Sequence, residues 1–188
     1  FGKPSGKFKK NHILSKSNFK PSFTGRIKKE GIEQTYAWIA HPGLNIGSEM
    51  LSSAYVMMSI FGSGMDSRLF SEVREKRGLV YSISSGLQSF EDGSVNITSF
   101  SLREKNLDDA IKIVREQAEL IKRVPLNEEE LERSKNKLKS SFYRINESGY
   151  SVAISRLRNS FYGTIPLEQL MSNINDVTSD DVINVANK

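Results

Sequence analysis

The pattern of apolar and polar positions predicts strands in the first half of the chain and helices in the second. Residues 32–40, with the sequence IEQTYAWIA, are rich in β-branched and aromatic side chains, and a His-Pro-Gly turn signal follows them. This composition predicts a strand. Because its last residues are almost continuously apolar, we expect both of its faces to be covered, with Tyr36, Trp38 and Ile39 in the core of the sheet.

Two further strands are predicted at residues 79–86 and 95–102. The Asp92-Gly93 pair between them is typical of a hairpin turn, so we expect these two strands to pair antiparallel. The order of elements does not indicate the alternating strands and helices of a nucleotide-binding parallel sheet.

Two helices are predicted between the first strand and the hairpin. Apolar residues recur at helical spacing over residues 48–60, which predicts a buried helix. A shorter helix is expected over residues 66–77, with Asp66 as its N-terminal cap and Gly78 as the left-handed residue that ends it.

The second half of the chain reads as a series of helices. One apolar face begins at Leu107 and recurs at helical spacing as far as Ile121. The later helices are expected to begin at Asn127, near residue 150, near Pro166 and at Thr178. The predicted capping pairs are Asn127 with Glu130 and Thr178 with Asp181.

Together these elements predict an α+β fold, a two-layer domain in which helices pack on one face of a largely antiparallel sheet. The length of 188 residues favours one folded domain, expected over residues 25–188. Residues 1–24 are rich in Lys, Ser, Gly and Pro and show no sustained apolar period, so they are expected to be a basic linker or entry segment.

Composition excludes several classes of protein and site. No apolar run approaches the roughly 20 residues of a membrane-spanning helix, and the absence of cysteine excludes disulfides, thiolate zinc sites and a cysteine nucleophile. The chain shows no secretory signal pattern, and it begins at Phe1 and not at a methionine. We therefore expect the natural N-terminus to lie upstream, and the sequence does not indicate a targeting signal. A soluble protein is expected, with the cytoplasm slightly favoured as its compartment.

A net charge of +5 is compatible with nucleic-acid binding, but the positive charge is concentrated in one part of the chain. Nine basic residues and no acidic ones fall within residues 1–29, which leaves 18 basic against 22 acidic residues in the remainder. The basic segment lacks an aromatic ladder, a helix-turn-helix pattern and a zinc finger. We therefore expect neither a nucleic acid nor a membrane as a partner.

Residues 61–84, FGSGMDSRLFSEVREKRGLVYSIS, combine a glycine turn, a helix and a strand in direct succession. This segment resembles the second half of the pitrilysin and insulinase family of zinc peptidases, which includes the mitochondrial processing peptidase. The segments LNEEELERSKNKLKSSF, ESGYSVAISRLRNSFYG and DVTSDDVINVANK follow in the order that the family shows. The resemblance covers about residues 24–188 and identifies the chain as the C-terminal, non-metal-binding half.

The resemblance implies a division between two halves. In that family, four similar domains form a shell around a chamber, and zinc lies in the first half on an HxxEH helix and a downstream glutamate. This chain has two histidines, His12 and His41, and neither stands in an HxxEH context. We expect both to be ordinary loop residues, with no metal or cofactor in this chain and with zinc in the partner half. That half would lie on the same polypeptide or on a separate subunit. The assembly is left open between a homodimer and a heterodimer.

Two residues carry the implied chemistry. Active relatives have an arginine and a tyrosine seven residues apart, and Arg74 and Tyr81 match that spacing and context. The resemblance implies that Arg74 binds a carbonyl of the peptide substrate and that Tyr81 donates a hydrogen bond in the transition state, both in trans. The ordinary alternative is that Arg74 pairs with Glu72 or Glu75 and that Tyr81 packs on the sheet.

Two neighbouring features have structural explanations as their first interpretation. Lys76 and Arg77 are expected to form a solvated positive cluster at the C-terminus of the helix. Gly62 and Gly64 fit a hinge-permissive loop on the chamber side, but any tight connection before a helix also needs such glycines.

Two functions remain open from the sequence. In the first, the chain is the half of a zinc metallopeptidase that closes the chamber and supplies substrate-binding residues, and it is inactive without its catalytic half. In the second, it is a non-proteolytic structural or assembly subunit that resembles the core proteins of respiratory complexes.

Overall fold

The computed structural model describes residues 24–27, 29–45, 47–89, 93–162 and 165–188. The predicted entry segment at residues 1–24 lies almost wholly outside the described residues, as do His12 and Asp92. Within the described ranges, no helix combines the length and the apolar character that crossing a membrane requires.

Three antiparallel strands form the sheet, which has the order β1-β3-β2. The strands are β1 at Thr35–Pro42, β2 at Val80–Ser89 and β3 at Ser94–Leu102. The predicted hairpin is confirmed, because β2 and β3 pair along their whole length. β1 pairs with the opposite edge of β3, so the last strand in the chain is the central one.

Helices account for most of the remaining described residues. They are α1 at Leu51–Gly62, a π-helical turn at Phe70–Glu75, a 3-10 turn at Glu104–Asn106, α2 at Leu107–Ile121, α3 at Glu128–Glu147, α4 at Gly149–Tyr162, α5 at Leu167–Asp176 and α6 at Ser179–Ala186. The predicted α+β class, with helices packed against a small antiparallel sheet, is confirmed.

The core lies between the inner face of the sheet and α1. Ala37, Phe100 and Ile83 stand in one row across the three strands, and Phe100 and Ile83 are buried. Nearly every residue of α1 is buried as well. The reason is that α1 contacts β2 on one side and α3, α5 and α6 on the others. Apolar residues around its whole circumference are what such a position requires.

The expectation that both faces of β1 are covered is wrong. Residues of β1 alternate between half-buried and exposed: Ile39 packs against the core as predicted, whereas Tyr36 and Trp38 are 57% and 67% exposed. The rings of Tyr36 and Trp38 are stacked on the outer face, with centroids 6.4 Å apart. An apolar run in a strand does not reveal which of its two faces meets helices, and here the helices pack on one of them.

The predicted helix caps have mixed outcomes. Thr178 and Asp181 form a complete capping box at the start of α6. At α3, Asn127 accepts from the backbone N–H of Glu129, but the Glu130 carboxylate binds Arg68 and does not complete the box. A charge-assisted pair with two hydrogen bonds is stronger than a single bond to the backbone, so the more distant partner is favoured.

Asp66 does not act as the predicted N-terminal cap of the helix that follows it. Its carboxylate instead accepts from Lys137 of α3. The hydroxyl of the next residue, Ser67, donates to the backbone oxygen of Gly64 at 2.6 Å. The loop before the helix is therefore held by α3 and by its own backbone.

Glycine is required at position 62 because α1 and β2 approach closely there. A Cβ built on Gly62 would lie 2.4 Å from the Cβ of Ser85. We expect Gly62→Ala to lower the free energy of unfolding by roughly 1–3 kcal/mol through overpacking. Gly86→Ala is the matched control, because a Cβ at Gly86 meets nothing within 4 Å. Denaturant unfolding measures both variants, and equal effects would contradict the close approach.

The capping box of α6 provides a pH-dependent test. The hydroxyl of Thr178, followed by its backbone N–H, holds the pKa of Asp181 below its ordinary value. The resulting stabilisation is fully present above the ordinary carboxyl pKa and is lost as pH falls through the lowered pKa. We expect Thr178→Ala to cost about 1 kcal/mol of stability at neutral pH. Denaturant unfolding at several pH values measures this cost, which should shrink in acid, whereas a cost independent of pH would contradict the cap.

Candidate functional site

The segment that carries the resemblance folds as a short loop, a helix and a sharp re-entry into the sheet. Gly64 has a left-handed φ of 94°, and a Cβ at this position would lie 2.7 Å from the Nζ atom of Lys137. Gly62 is similarly enclosed by Ser85. The structural interpretation of the two glycines is therefore supported, because both fit a tight, packed connection.

The helix in this segment is wound wider than an α-helix. The N–H of Lys76 donates to the oxygen of Ser71 at 2.9 Å, a separation of five residues. Near its end, the N–H of Gly78 donates to Arg74 O and the N–H of Leu79 donates to Val73 O, both at 3.0 Å. Gly78 has a φ of 59°, so the predicted left-handed residue is confirmed. Single π-helical turns are rare and recur at functional sites.

Arg74 lies exposed near the end of the π-helical turn. Its guanidinium carbon is 4.8 Å from the centroid of the Phe70 ring, which is a cation–π contact. The carboxylate of Glu72 binds Lys76 at 2.5 Å and Arg77 at 2.6 Å. These two hydrogen bonds, from Lys76 first and then Arg77, hold the pKa of Glu72 below its ordinary value. Glu72 is therefore engaged by Lys76 and Arg77 in place of Arg74.

Tyr81 occupies an irregularity at the start of β2. The pairing with β3 shifts between Val80 and Ser82, so Tyr81 is an extra residue opposite the regular strand. Val80 points into the core, whereas Tyr81 is 44% exposed. A β-bulge re-aims a side chain in this way, and bulges are common beside active sites.

Arg103 is a contact of Tyr81 that the sequence reasoning missed. Its Nε atom donates to the hydroxyl oxygen of Tyr81 at 2.9 Å. The signal was present, because the predicted hairpin places the end of one strand beside the start of the other: Leu102 pairs with Val80, and Arg103 follows Leu102. Since the Tyr81 hydroxyl accepts this bond, its own proton remains available for donation to another group.

The structure places Arg74 and Tyr81 on the two sides of the Gly78 turn, each exposed and each with its own neighbour. Arg74 lies over Phe70, and Tyr81 binds Arg103. Their roles toward a peptide substrate, which the resemblance implies, stay predictions.

Metal binding is not indicated in the described ranges of the chain. They contain no group of three or more His, Cys, Asp or Glu side chains placed to hold an ion. His41 lies exposed in β1, so the expectation that it is a loop residue is wrong. A cleft behind β1, bounded by α1, α2 and the end of α6, is not lined by Arg74 or Tyr81, so it is separate from the candidate site.

Comparison with known proteins agrees with the resemblance. The family model described as the peptidase M16 inactive domain matches residues 5–138. A protein of Rickettsia felis named as an uncharacterized zinc protease is 34% identical over 183 residues, which are 92% of this chain and 43% of that protein. The chain therefore spans less than half of this relative's length.

Two further matches bear on function. A Bacillus subtilis protein named as a probable inactive metalloprotease, YmfF, is 29% identical over 71% of this chain and 31% of its own length. A crystal structure of a peptidase M16 inactive domain from Pseudomonas fluorescens superimposes with a TM-score of 0.72 at 26% identity, covering 82% of this chain and 37% of that chain.

The left-handed conformation of Gly78 gives a direct test of the turn between Arg74 and Tyr81. We expect Gly78→Ala to lower the free energy of unfolding by roughly 1–2 kcal/mol, because a Cβ disfavours this conformation. A Cβ at Gly78 would meet nothing within 4 Å, so the cost is conformational. Gly149→Ala is the control, since Gly149 has open space but no positive φ. Denaturant unfolding compares the two variants, and a neutral Gly78→Ala would contradict the turn.

Proposed function

Because the chain belongs to the peptidase M16 inactive-domain family, we propose that it is the metal-free half of a zinc peptidase and works beside a half that carries HxxEH. The observation that carries this proposal is the exposure of Arg74 and Tyr81 on the two sides of the Gly78 turn. Both side chains are hydrogen-bond donors that can reach a bound peptide. The zinc belongs to the other half, where it would activate the attacking water.

Arg74 and Tyr81 have different roles in this proposal. The guanidinium of Arg74 donates to a backbone carbonyl of the peptide and holds it in place. The hydroxyl of Tyr81 donates to the oxygen on which negative charge develops as the peptide bond is attacked. Arg103 donates to the hydroxyl oxygen of Tyr81 at 2.9 Å, which leaves the hydroxyl proton free for the substrate.

The outer face of the sheet is proposed as part of the chamber wall. In the described part of the chain, the helices pack on the opposite face, and Tyr36 and Trp38 stand exposed on this one. Beside them, serine hydroxyls on neighbouring strands are hydrogen-bonded to each other, with Ser82 to Ser101 at 2.7 Å and Ser84 to Ser99 at 3.1 Å. A surface of exposed aromatic rings and paired hydroxyls fits contact with extended peptides of varied sequence.

The lengths of the relatives support a partner half. The match to the Rickettsia felis protein covers 43% of that protein, so more than half of it lies outside the match. We propose that the zinc-bearing half of the present protein lies either on the same polypeptide or on a separate subunit.

A structural or assembly role is the second candidate. It is favoured by the Bacillus subtilis relative whose name marks it as a probable inactive metalloprotease. The state of the HxxEH motif in the partner half separates the two functions, because a lost motif supports the structural role.

The peptidase function predicts cleavage by the reconstituted pair. Mixing the chain with its zinc-bearing half in equal amounts should cleave an unstructured, internally quenched peptide, whereas each half alone should not. Tyr81→Phe should lower turnover on the order of 100-fold, the loss typical of a removed oxyanion donor. Arg74→Ala should lower kcat/KM, because the peptide is no longer held in place. Fluorescence release measures the rates.

Two surface variants are the matched controls for these substitutions. Tyr143→Phe removes a hydroxyl from an exposed tyrosine of α3, and Arg133→Ala removes a guanidinium from the same helix. Both should leave turnover unchanged, and all four variants should keep the melting temperature of the parent. Full activity in the Arg74→Ala and Tyr81→Phe proteins would remove their proposed roles.

A further inference from the structure

We propose that an ion-pair clamp from α3 positions the helix that carries Arg74, and that Arg68 and Glu130 are positioning residues for the candidate site. The α3 clamp is the Arg68–Glu130 pair together with the contacts of Lys137 to Ser63 and Asp66. The expected effect of the clamp on catalysis rests on the proposed function. The attachment of the helix by the clamp can be tested without any enzymatic activity.

The Arg68–Glu130 pair has the geometry of a strong ion pair. Nε and NH2 of Arg68 donate to the two carboxylate oxygens of Glu130, each at 2.7 Å. The two side chains are 19% and 21% exposed, so water screens them much less than an ordinary surface pair. Two parallel bonds between planar groups fix direction as well as distance.

Local structure by itself does not favour this pair on either side. Arg68 is the first helical residue before the π-helical turn, and a cation at the N-terminus of a helix is disfavoured by the helix dipole. Glu130 is the third residue of α3 and could have completed a capping box with Asn127. The contact across 62 residues of sequence therefore replaces what local structure favours on both sides.

Lys137 holds the loop that precedes this helix. Its Nζ atom, two helical turns after Glu130, donates to the backbone oxygen of Ser63 and to the carboxylate of Asp66. Gly64 has no side chain that would block this approach, since a Cβ there would lie 2.7 Å from Nζ. The loop and the first residue of the helix are thus both attached to one face of α3.

The clamp fixes the end of the helix opposite to the site. The other end is held by the bonds from Gly78 and Leu79 to the carbonyls of Arg74 and Val73. A short helix attached at both ends has little freedom to rotate or slide, so the backbone of Arg74 is held relative to β2. Loss of the clamp leaves the first end held only by packing, through the buried side chains of Leu69 and Val73.

Hydrogen–deuterium exchange tests the structural part on the full chain. Glu130→Gln keeps the size of the side chain and removes the ion pair. We expect the amides of Lys76, Gly78 and Leu79 to exchange about tenfold faster in this variant. The exchanged-charge double variant, Arg68→Glu with Glu130→Arg, should return their exchange toward that of the parent.

The matched control is Glu129→Gln. Glu129 precedes Glu130 on α3 and forms an exposed pair with Arg133, at 3.4 Å. This variant should not change exchange in the segment. Unchanged exchange in Glu130→Gln, or equal acceleration in Glu129→Gln, would overturn the clamp.

Kinetics of the reconstituted pair test the consequence for the site. Glu130→Gln should lower kcat/KM on the order of tenfold, through misplacement of Arg74. In an Arg74→Ala background the same substitution should have little further effect, which a general loss of folded protein would not produce. Additive losses in the two backgrounds would overturn the positioning role.

Failure of the clamp and failure of the proposed function give different results. If the parent pair cleaves no peptide, the peptidase function is wrong, and the exchange data still decide whether the clamp holds the helix. If the pair is active and exchange in Glu130→Gln is unchanged, the clamp alone is wrong.

Discussion

The burial of α1 is the constraint from which the arrangement of the other elements follows. A helix that is buried around its whole circumference must be covered on every side, and here the sheet covers one side while α3, α5 and α6 cover the rest. Close contact at its end depends on Gly62, where even one extra carbon would meet Ser85 of β2. The layers of the fold are thus set by how closely α1 can approach the sheet.

The same contact determines where the candidate site lies. The end of α1 lies against β2, and the segment between Gly62 and Val80 forms the next helix before it enters β2. The helix is short and partly π-helical, and it ends abruptly at Gly78. Arg74 and Tyr81 are consequently carried by two elements that pack against each other, the short helix and β2, and the α3 clamp holds the start of the helix. Rigid attachment of this kind is what a pair of fixed hydrogen-bond donors needs.

Features of local origin could be predicted from the sequence, whereas those that depend on distant partners could not. The apolar face of α2, the hairpin and the Thr178–Asp181 box arise from residues close together in the chain, and all three are present. The exposure of Trp38 depends on which face of the sheet receives helices, and no residue of β1 encodes that.

The site shows the same division. The left-handed Gly78 was evident as a glycine at the end of a helical pattern. The bulge at Tyr81 and the diversion of Glu130 to Arg68 were not evident, because each arises from a partner strand or helix far away in sequence. Arg103 was within reach, since hairpin pairing alone places it beside the start of β2.

Under the proposed function, the exposure of the two donors explains why such a half would need a partner to take part in catalysis. Arg74 and Tyr81 face water in the isolated chain, where electrostatic interactions are weaker than in a site that excludes water. Water would compete fully with a peptide for hydrogen bonds to these donors. Enclosure between two halves removes that competition and strengthens each bond without moving either donor. Closing the chamber and supplying donors are therefore one physical task, because the donors act strongly once the wall that carries them has excluded water.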